Sequence, residues 1–236
     1  MHLFYSPDIS GTQFELDEDE SKHAVRVLRL KKGERVGLVD GKGGWYEAEI
    51  EDAHPKKCRF RILSHMAGYR PLPYHLHMAV SPTRSMERFE WFIEKATEIG
   101  ISEISPLLCR RTERSRLNPE RLDRVVVSAM KQSMRAYKPL LHPPVSFPDF
   151  IKVDREGTKG IAHCMAAERL PLLALPRDSS YTLLVGPEGD FTEDEVKLAG
   201  EAGYGQLHLG DWRLRTETAG VYICTAVSLL RGSSVI

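Results

Sequence analysis

The sequence predicts an α/β protein in two parts, a small β-barrel followed by a mostly parallel sheet with helices on both faces. Three observations support this. From Met1 to about Met66 the apolar residues fall in short alternating segments, the period of half-buried strands. Past Leu76, continuous apolar runs alternate with stretches of helical period, as in sheets whose strands are covered on both sides. Between them, Gly68-Tyr69-Arg70-Pro71-Leu72-Pro73 has the Gly/Pro punctuation of a linker and divides the chain into 1–68 and 73–236.

In the first part His2–Tyr5, Arg35–Val39, Trp45–Ile50 and Cys58–Leu63 read as strands. Asp40-Gly41-Lys42-Gly43-Gly44 joins the second to the third with residues suited to a tight reversal. In the second part Leu76–Val80 reads as a strand. Ser85–Ile99 places Met86, Phe89, Ile93 and Ala96 on one helical face, and Gly100 stops it. Ile104–Cys109 is another strand. Asn118-Pro119-Glu120 opens a helix with a capping side chain, a proline whose missing N–H is not needed there, and an acid at the positive helix end. Tyr181–Val185 is a doubly covered strand. Thr192 and Glu195 form a capping box, Phe191 is placed to staple onto Val196, Ala199 and Ala202 extend the face, and Gly203 ends it. Gln206–Leu209 reads as a strand and Thr216–Leu230 as the last helix.

The chain has 236 residues, 42% hydrophobic and 28% charged, enough apolar material for a core. No apolar run is long enough to span a bilayer. Met1-His2-Leu3-Phe4-Tyr5 lacks the basic and apolar regions of a secretory signal, so no membrane association is expected. Cys58, Cys109, Cys164 and Cys224 show no C-x-x-C spacing. That argues against a zinc ribbon or disulfide framework and suits a reducing cytoplasm; each is expected as a small buried apolar residue. Nine histidines include His75-x-His77 but no H-E-x-x-H, so no metal is assigned.

Basic and acidic residues number 33 each. This weighs against nucleic-acid binding unless the charge is uneven, and it is uneven. Lys22, His23, Arg26, Arg29, Lys31, Lys32 and Arg35 crowd the first part behind the acidic run Asp17–Glu20. Arg110, Arg111, Arg114 and Arg116 form a second cluster, which repels itself unless an anion compensates it. Ser128, Gln132 and Arg135, spaced i, i+4, i+7, are expected on one face of the helix opened by Asn118.

Chemistry concentrates in two strand-to-helix turns. Leu184-Val185-Gly186-Pro187-Glu188-Gly189-Asp190-Phe191 follows a buried strand, where open α/β sheets bind ligands. Glycines let the backbone approach closely, and free amides at the helix start face a polar ligand. The segment is neither G-x-G-x-x-G nor a P-loop, which disfavours a nucleotide-dependent oxidoreductase or kinase. A plain connection accounts for this segment alone equally well. The second turn, Leu209 to Ala219, places Arg215 and Glu217 at the lip of a pocket the two turns can share; a surface ion pair accounts for those two charges equally well.

Val185-Gly186-Pro187-Glu188-Gly189-Asp190-Phe191 resembles the IGPEGGF signature of the RsmE family, 16S rRNA uridine-N3 methyltransferases of the SPOUT superfamily. Leu209-Gly210 with Leu214-Arg215-Thr216-Glu217-Thr218-Ala219 is similar to their LGxxILRTETA signature. Lys95-Ala96-Thr97-Glu98-Ile99-Gly100 resembles KATELG, Gln132 with Arg135 a fourth motif, and His23 with Val27-Leu28-Arg29 the amino-terminal HxxxVLR. Asp190 replaces the usual glycine and Arg213 the usual isoleucine.

The resemblance implies a PUA-like RNA-binding β-barrel and then a SPOUT α/β trefoil-knot methyltransferase domain, in a cytoplasmic homodimer. It implies S-adenosyl-L-methionine as cofactor and a uridine of 16S rRNA, free or in the small ribosomal subunit, as substrate. Implied cofactor contacts are Leu184, Val185, Gly186, Pro187, Glu188, Gly189, Leu209, Gly210, Leu214, Arg215, Thr216 and Ala219. Arg215 is expected to stabilise charge on the uracil oxygens, and Glu188 to hold the cofactor or accept a proton. RNA contacts are expected from His23, Arg26, Arg29, Lys31, Arg110, Arg111, Arg114, Gln132 and Arg135. Two alternatives stay open: a non-catalytic RNA-binding or ribosome-assembly protein, and a SPOUT methyltransferase acting on tRNA or 23S rRNA.

Overall fold

The computed structural model describes residues 1–165 and 168–231. Two compact units emerge, Met1–Pro71 with Met130–Lys138, and Leu72–Ala129 with the chain from Pro139 onward.

The first unit contains β1 (Leu3–Tyr5), β2 (Gln13–Glu15), α1 (Glu18–Lys22), a π-helical turn at His23–Val27, β3 (Arg35–Val39), β4 (Trp45–Asp52) and β5 (Arg59–Met66). Its sheet order is β1-β3-β4-β5-β2; β1 runs parallel to β3 and the other pairs are antiparallel. The β3–β4 reversal forms as the glycines require, with φ of 75° at Gly41 and 100° at Gly43. Asp40 Oδ1 closes it by accepting from the Lys42 and Gly44 N–H groups. Phe4, Val36, Leu38, Ala48, Ile50 and Phe60 bury one face. Met130 and Ala136 join Leu3, Val39 and Trp45 in a separate cluster, and Lys131 pairs with Glu20 at 2.6 Å. This unit therefore does not follow a single cut in the sequence.

The second unit comprises β6 (His75–Val80), α2 (Met86–Ile99), β7 (Glu103–Leu108), most of α3 (Pro119–Gln132), β8 (Leu140–Leu141), β9 (Val145–Ser146), α4 (Phe147–Lys152), β10 (Thr158–Ala162), β11 (Leu170–Pro171), β12 (Ser180–Val185), α5 (Glu193–Glu201), β13 (Gly205–His208) and α6 (Thr216–Arg231). Its sheet order is β11-β13-β10-β12-β6-β7-β8, with β9 also on β7, and every pair is parallel. Side chains alternate between two cores. Leu76, Met78 and Val80 with Tyr181, Leu183 and Val185 meet α2, α3 and α6, whereas Ala79, Leu107, Ile161 and Leu184 meet α4 and α5. Two covered faces explain why these strands read as continuous apolar runs.

Two expectations require correction. α3 ends at Gln132 and Met134 takes φ 58°, so Arg135 lies beyond the helix and does not share its face with Ser128 and Gln132. Cys58, Cys109 and Cys224 are buried, but Cys164 is exposed, because it stands just past the end of β10. Burial pushes the Cys58 thiol up to about 11 and Cys224 up to about 12, so both stay protonated at neutral pH. Among the described residues no helix is long and apolar enough to cross a membrane.

Candidate active site

The carboxyl ends of β10, β12 and β13 open into one cleft of about 700 Å³, within the size range of small-molecule sites. Val185, Gly186, Pro187, Glu188 and Gly189 line it from the turn after β12; Leu209, Gly210, Leu214, Arg215, Thr216 and Ala219 line it from the turn after β13. A buried hydrogen bond ties the turns together, Thr216 Oγ1 donating to the Gly186 carbonyl at 2.9 Å. Gly186 also lets the first turn close on itself, since a Cβ there would sit 3.0 Å from the Phe191 ring and 3.2 Å from its nitrogen. Leu184 is the exception among the expected cofactor contacts. Alternation along β12 turns it into the α4–α5 core, away from the cleft.

Asp190 occupies a conformation a glycine adopts freely, with φ 63°. Its carboxylate repays the strain locally: Oδ1 accepts from its neighbour Phe191 N–H at 2.9 Å and Oδ2 from Cys164 N–H at 2.8 Å. The aspartate thus keeps the turn and adds a tie to the segment after β10. Asp190→Ala, which loses both bonds and keeps the strain, is expected to lower stability by about 1–2 kcal/mol. Asp190→Gly should lose less. Urea unfolding reads both, and equal losses would contradict the backbone argument.

Two residues that no sequence motif marks, His163 and Arg169, enter the cleft, as does Arg111, which is expected from the sequence as an RNA contact. His163, 5% exposed, accepts the Met165 N–H on Nδ1 at 3.2 Å and pairs through Nε2 with Gln206 Oε1 at 3.0 Å. These bonds assign a neutral ring with its proton on Nε2. Burial lowers its pKa below the ordinary 6.5. The unfolded chain therefore takes up a proton that the fold refuses, and this group's contribution to stability shrinks as pH falls below 6.5 toward the folded value. Denaturation midpoints should decline less steeply with acid across that window in His163→Gln than in the parent; identical slopes would contradict it. Arg169 donates to the His163 carbonyl, and its Nε has no partner among the described residues. Arg111 donates to the carbonyls of Gly189 at 2.7 Å and Phe191 at 3.3 Å, bracing the first turn.

A second pocket adjoins the first, lined by Glu87, Arg88, Trp91, Glu217 and Thr218 together with Arg213, Leu214 and Arg215, which border both. Arg213 and Arg215 are exposed, and neither side chain has a carboxylate partner among the described residues. Glu217 is 7% exposed; its Oε1 lies 3.8 Å from Arg88 Nε, and its Oε2 is buried without a partner among the described residues. Such an atom calls for a donor from outside the chain. Glu188 is exposed and accepts the Arg84 N–H at 2.9 Å.

The expected RNA contacts divide. His23, Arg26, Arg29 and Lys31 are exposed on the π-helical turn and the loop after it; Lys22 instead pairs with Glu18 at 2.9 Å. In the Arg110 cluster the compensating charge is largely main-chain carbonyl oxygen. Arg111 is engaged as described, Arg114 Nε donates to the Arg84 carbonyl at 3.1 Å, and Arg110 remains exposed. Gln132 is exposed and Arg135 half-buried.

A family model described as an RNA methyltransferase domain matches residues 70–228, and one described as an RNA methyltransferase PUA domain matches residues 16–63. Relatives named ribosomal RNA small subunit methyltransferase E include that of Rickettsia conorii, 30% identical over 93% of this chain and 91% of its own length. That of Mycobacterium bovis is 32% identical over 97% and 91%. Among solved structures, a probable rRNA-methyltransferase from Porphyromonas gingivalis matches with a TM-score of 0.92 at 35% identity, covering 100% of both chains. The ribosomal RNA small subunit methyltransferase E of Neisseria gonorrhoeae, bound to S-adenosyl methionine, matches with a TM-score of 0.86 at 27% identity over 98% of each chain. With its joined glycine turns and these matches, the chain belongs to the RNA methyltransferases of the ribosomal RNA small subunit methyltransferase E family.

Proposed function

We propose that the protein transfers the methyl group of S-adenosylmethionine to N3 of one uridine in the 16S rRNA of the small ribosomal subunit. The observation that carries this reading is the wall Arg213-Leu214-Arg215, which borders both the cleft and the adjoining pocket. A donor on one side and a base on the other would meet across it. The cleft suits the cofactor chemically: glycine-turn amides, apolar Val185, Leu209 and Leu214, and, for a carboxylate, the Arg169 Nε, which has no partner among the described residues. When bound, the cofactor supplies an electrophilic sulfonium methyl.

The chain's own residues position the base and its charge. Trp91, 42% exposed beside the pocket, offers a face for the uracil to stack on. Glu217 Oε2 accepts the N3–H and takes its proton. Arg215 offsets the negative charge that grows on the uracil oxygens as that proton leaves. Glu188, already held by the Arg84 N–H, helps hold the cofactor. His23, Arg26, Arg29 and Lys31, with Arg110, Gln132 and Arg135, contact phosphate and presented bases.

The same reading includes a trefoil knot, supported by β13 lying on the far side of β10 from β12 and by the bond joining the two turns. It includes a division into an RNA-gripping region at 1–68 and a methyltransferase region at 73–236, and a cytoplasmic homodimer, supported by the exposed Tyr222 and Leu229 on α6. Nucleoside mass spectrometry of 16S rRNA from cells with and without the protein tests the reaction. Loss of one 3-methyluridine is expected; an identical profile would remove the substrate assignment.

A further inference from the structure

Away from the cleft, the sheet gathers a second set of donor side chains near the amino-terminal ends of β6 and β7. His75 and His77 are two residues apart on β6, as are Glu103 and Ser105 on β7, and His77 is in register with Glu103. Period-2 alternation therefore projects all four from one face. His142 follows β8, held by its N–H to the Ile104 carbonyl at 2.9 Å. The spacing His75-x-His77 alone did not call for a metal, because the remaining donors arrive from other strands.

Ligand atoms of His77, Glu103 and His142 all lie within 4.8 Å of one another. Glu103 Oε2 is 3.7 Å from His77 Nδ1 and 2.5 Å from His142 Nε2. The outer atoms are also engaged: His77 Nε2 pairs with Ser105 Oγ at 2.8 Å, and Glu103 Oε1 with His75 Nε2 at 2.9 Å. We propose that His77, Glu103 and His142 bind a divalent transition-metal ion of the zinc class, with Ser105 and His75 orienting two of the ligands.

Two imidazoles and a carboxylate suit zinc and its borderline neighbours, not magnesium or calcium, which take oxygen. Bonds of about 2.0–2.1 Å place ligand atoms on a tetrahedral zinc about 3.3 Å apart. The His142–Glu103 pair then opens by ~0.8 Å and the His77–Glu103 pair closes by ~0.4 Å, shifts within side-chain reach. The ion takes the position between His142 Nε2 and Glu103 Oε2, with His142 ligating as a neutral imidazole that carries its proton on the other ring nitrogen. Bonds from the outer nitrogen of a ligating imidazole and the outer oxygen of a ligating carboxylate are the usual support of such sites. The partial exposure of Glu103 and His142 leaves a path for the ion and a fourth position for water. Nearby Arg155 is engaged with the Phe150 ring and the carbonyls of Phe150 and Val153. The ion would fasten β6, β7 and the segment after β8 together, independently of the methyl-transfer reading.

Calorimetric titration of zinc chloride into chelator-stripped, full-length protein tests this, alongside His142→Ala and Glu103→Gln. One zinc per chain is expected, with affinity falling at least 10-fold in each variant, and a zinc-dependent rise in melting temperature only in the parent. Cobalt(II) should give a tetrahedral absorption spectrum in the parent that His142→Ala abolishes. No stoichiometric binding, or binding unchanged in both variants because other histidines carry it, would overturn the proposal.

Discussion

Arg215→Ala is expected to lower the single-turnover rate of methyl transfer by about 10²–10³-fold, the usual consequence of removing one group that stabilises developing negative charge. The side chain is exposed and lacks a carboxylate partner among the described residues, so its loss strands no buried group and the melting temperature should hold. The main-chain role of the residue survives, because its carbonyl still accepts the Ala219 N–H at 2.8 Å in the first turn of α6. Cofactor affinity should stay within a few-fold, since the turn amides and the Thr216–Gly186 bond are untouched. Rapid-quench assays with methyl-labelled cofactor and small ribosomal subunits separate these effects. An unchanged rate would remove Arg215 from the mechanism, and a large loss of cofactor affinity would reassign it to binding.

Gly220→Val is expected to destabilise the protein by about 1–3 kcal/mol, as overpacking of a filled core does. Gly220 lies where α6 crosses α2, and a Cβ there would sit 2.5 and 2.7 Å from atoms of the fully buried Phe92 ring. The gain in helix propensity over glycine is only a few tenths of a kcal/mol for valine, so the steric term wins. Because α6 begins at Thr216, moving it also disturbs the cleft wall, and cofactor affinity should fall with stability. Phe92→Leu in the same chain should recover part of both losses, a coupling that a double-mutant cycle measures. Additive losses would mean that the two helices are not in contact through this pair.

The elements that the pattern reveals are those with strong local chemistry. The Thr192–Glu195 capping box forms as read, Glu195 accepting the Thr192 N–H at 2.8 Å. Asn118 Oδ1 accepts the Arg121 N–H at the start of α3, and Gly100 stops α2. Missing from the pattern are elements defined by tertiary contacts. β10 carries Lys159 and Gly160 in a five-residue strand with little apolar signal, yet it is central in the sheet; a side chain at Gly160 would collide with Leu183 and Leu207. Without β10 in view, His163 and Arg169 cannot be placed in the cleft. Met130–Lys138 joins the first unit through packing of Met130 and Ala136, which no linear division of the chain anticipates. The first glycine turn is legible because it follows the continuous apolar run of β12, whereas the second follows the short, mixed β13 (Gly205–His208) and is marked instead by Gly210 and the helix start at Thr216. The bond uniting the two turns is not legible, since it links residues 30 positions apart.

The proposed reaction requires these two turns to enclose the methyl donor beside Arg215. A crystal structure of the protein with S-adenosylmethionine measures this directly. The nucleoside is expected between Gly186–Gly189 and Leu209–Thr216, with the methyl directed toward the wall formed by Arg213, Leu214 and Arg215. Density for the donor elsewhere on the chain, or turns drawn apart with the Thr216–Gly186 bond broken, would contradict it.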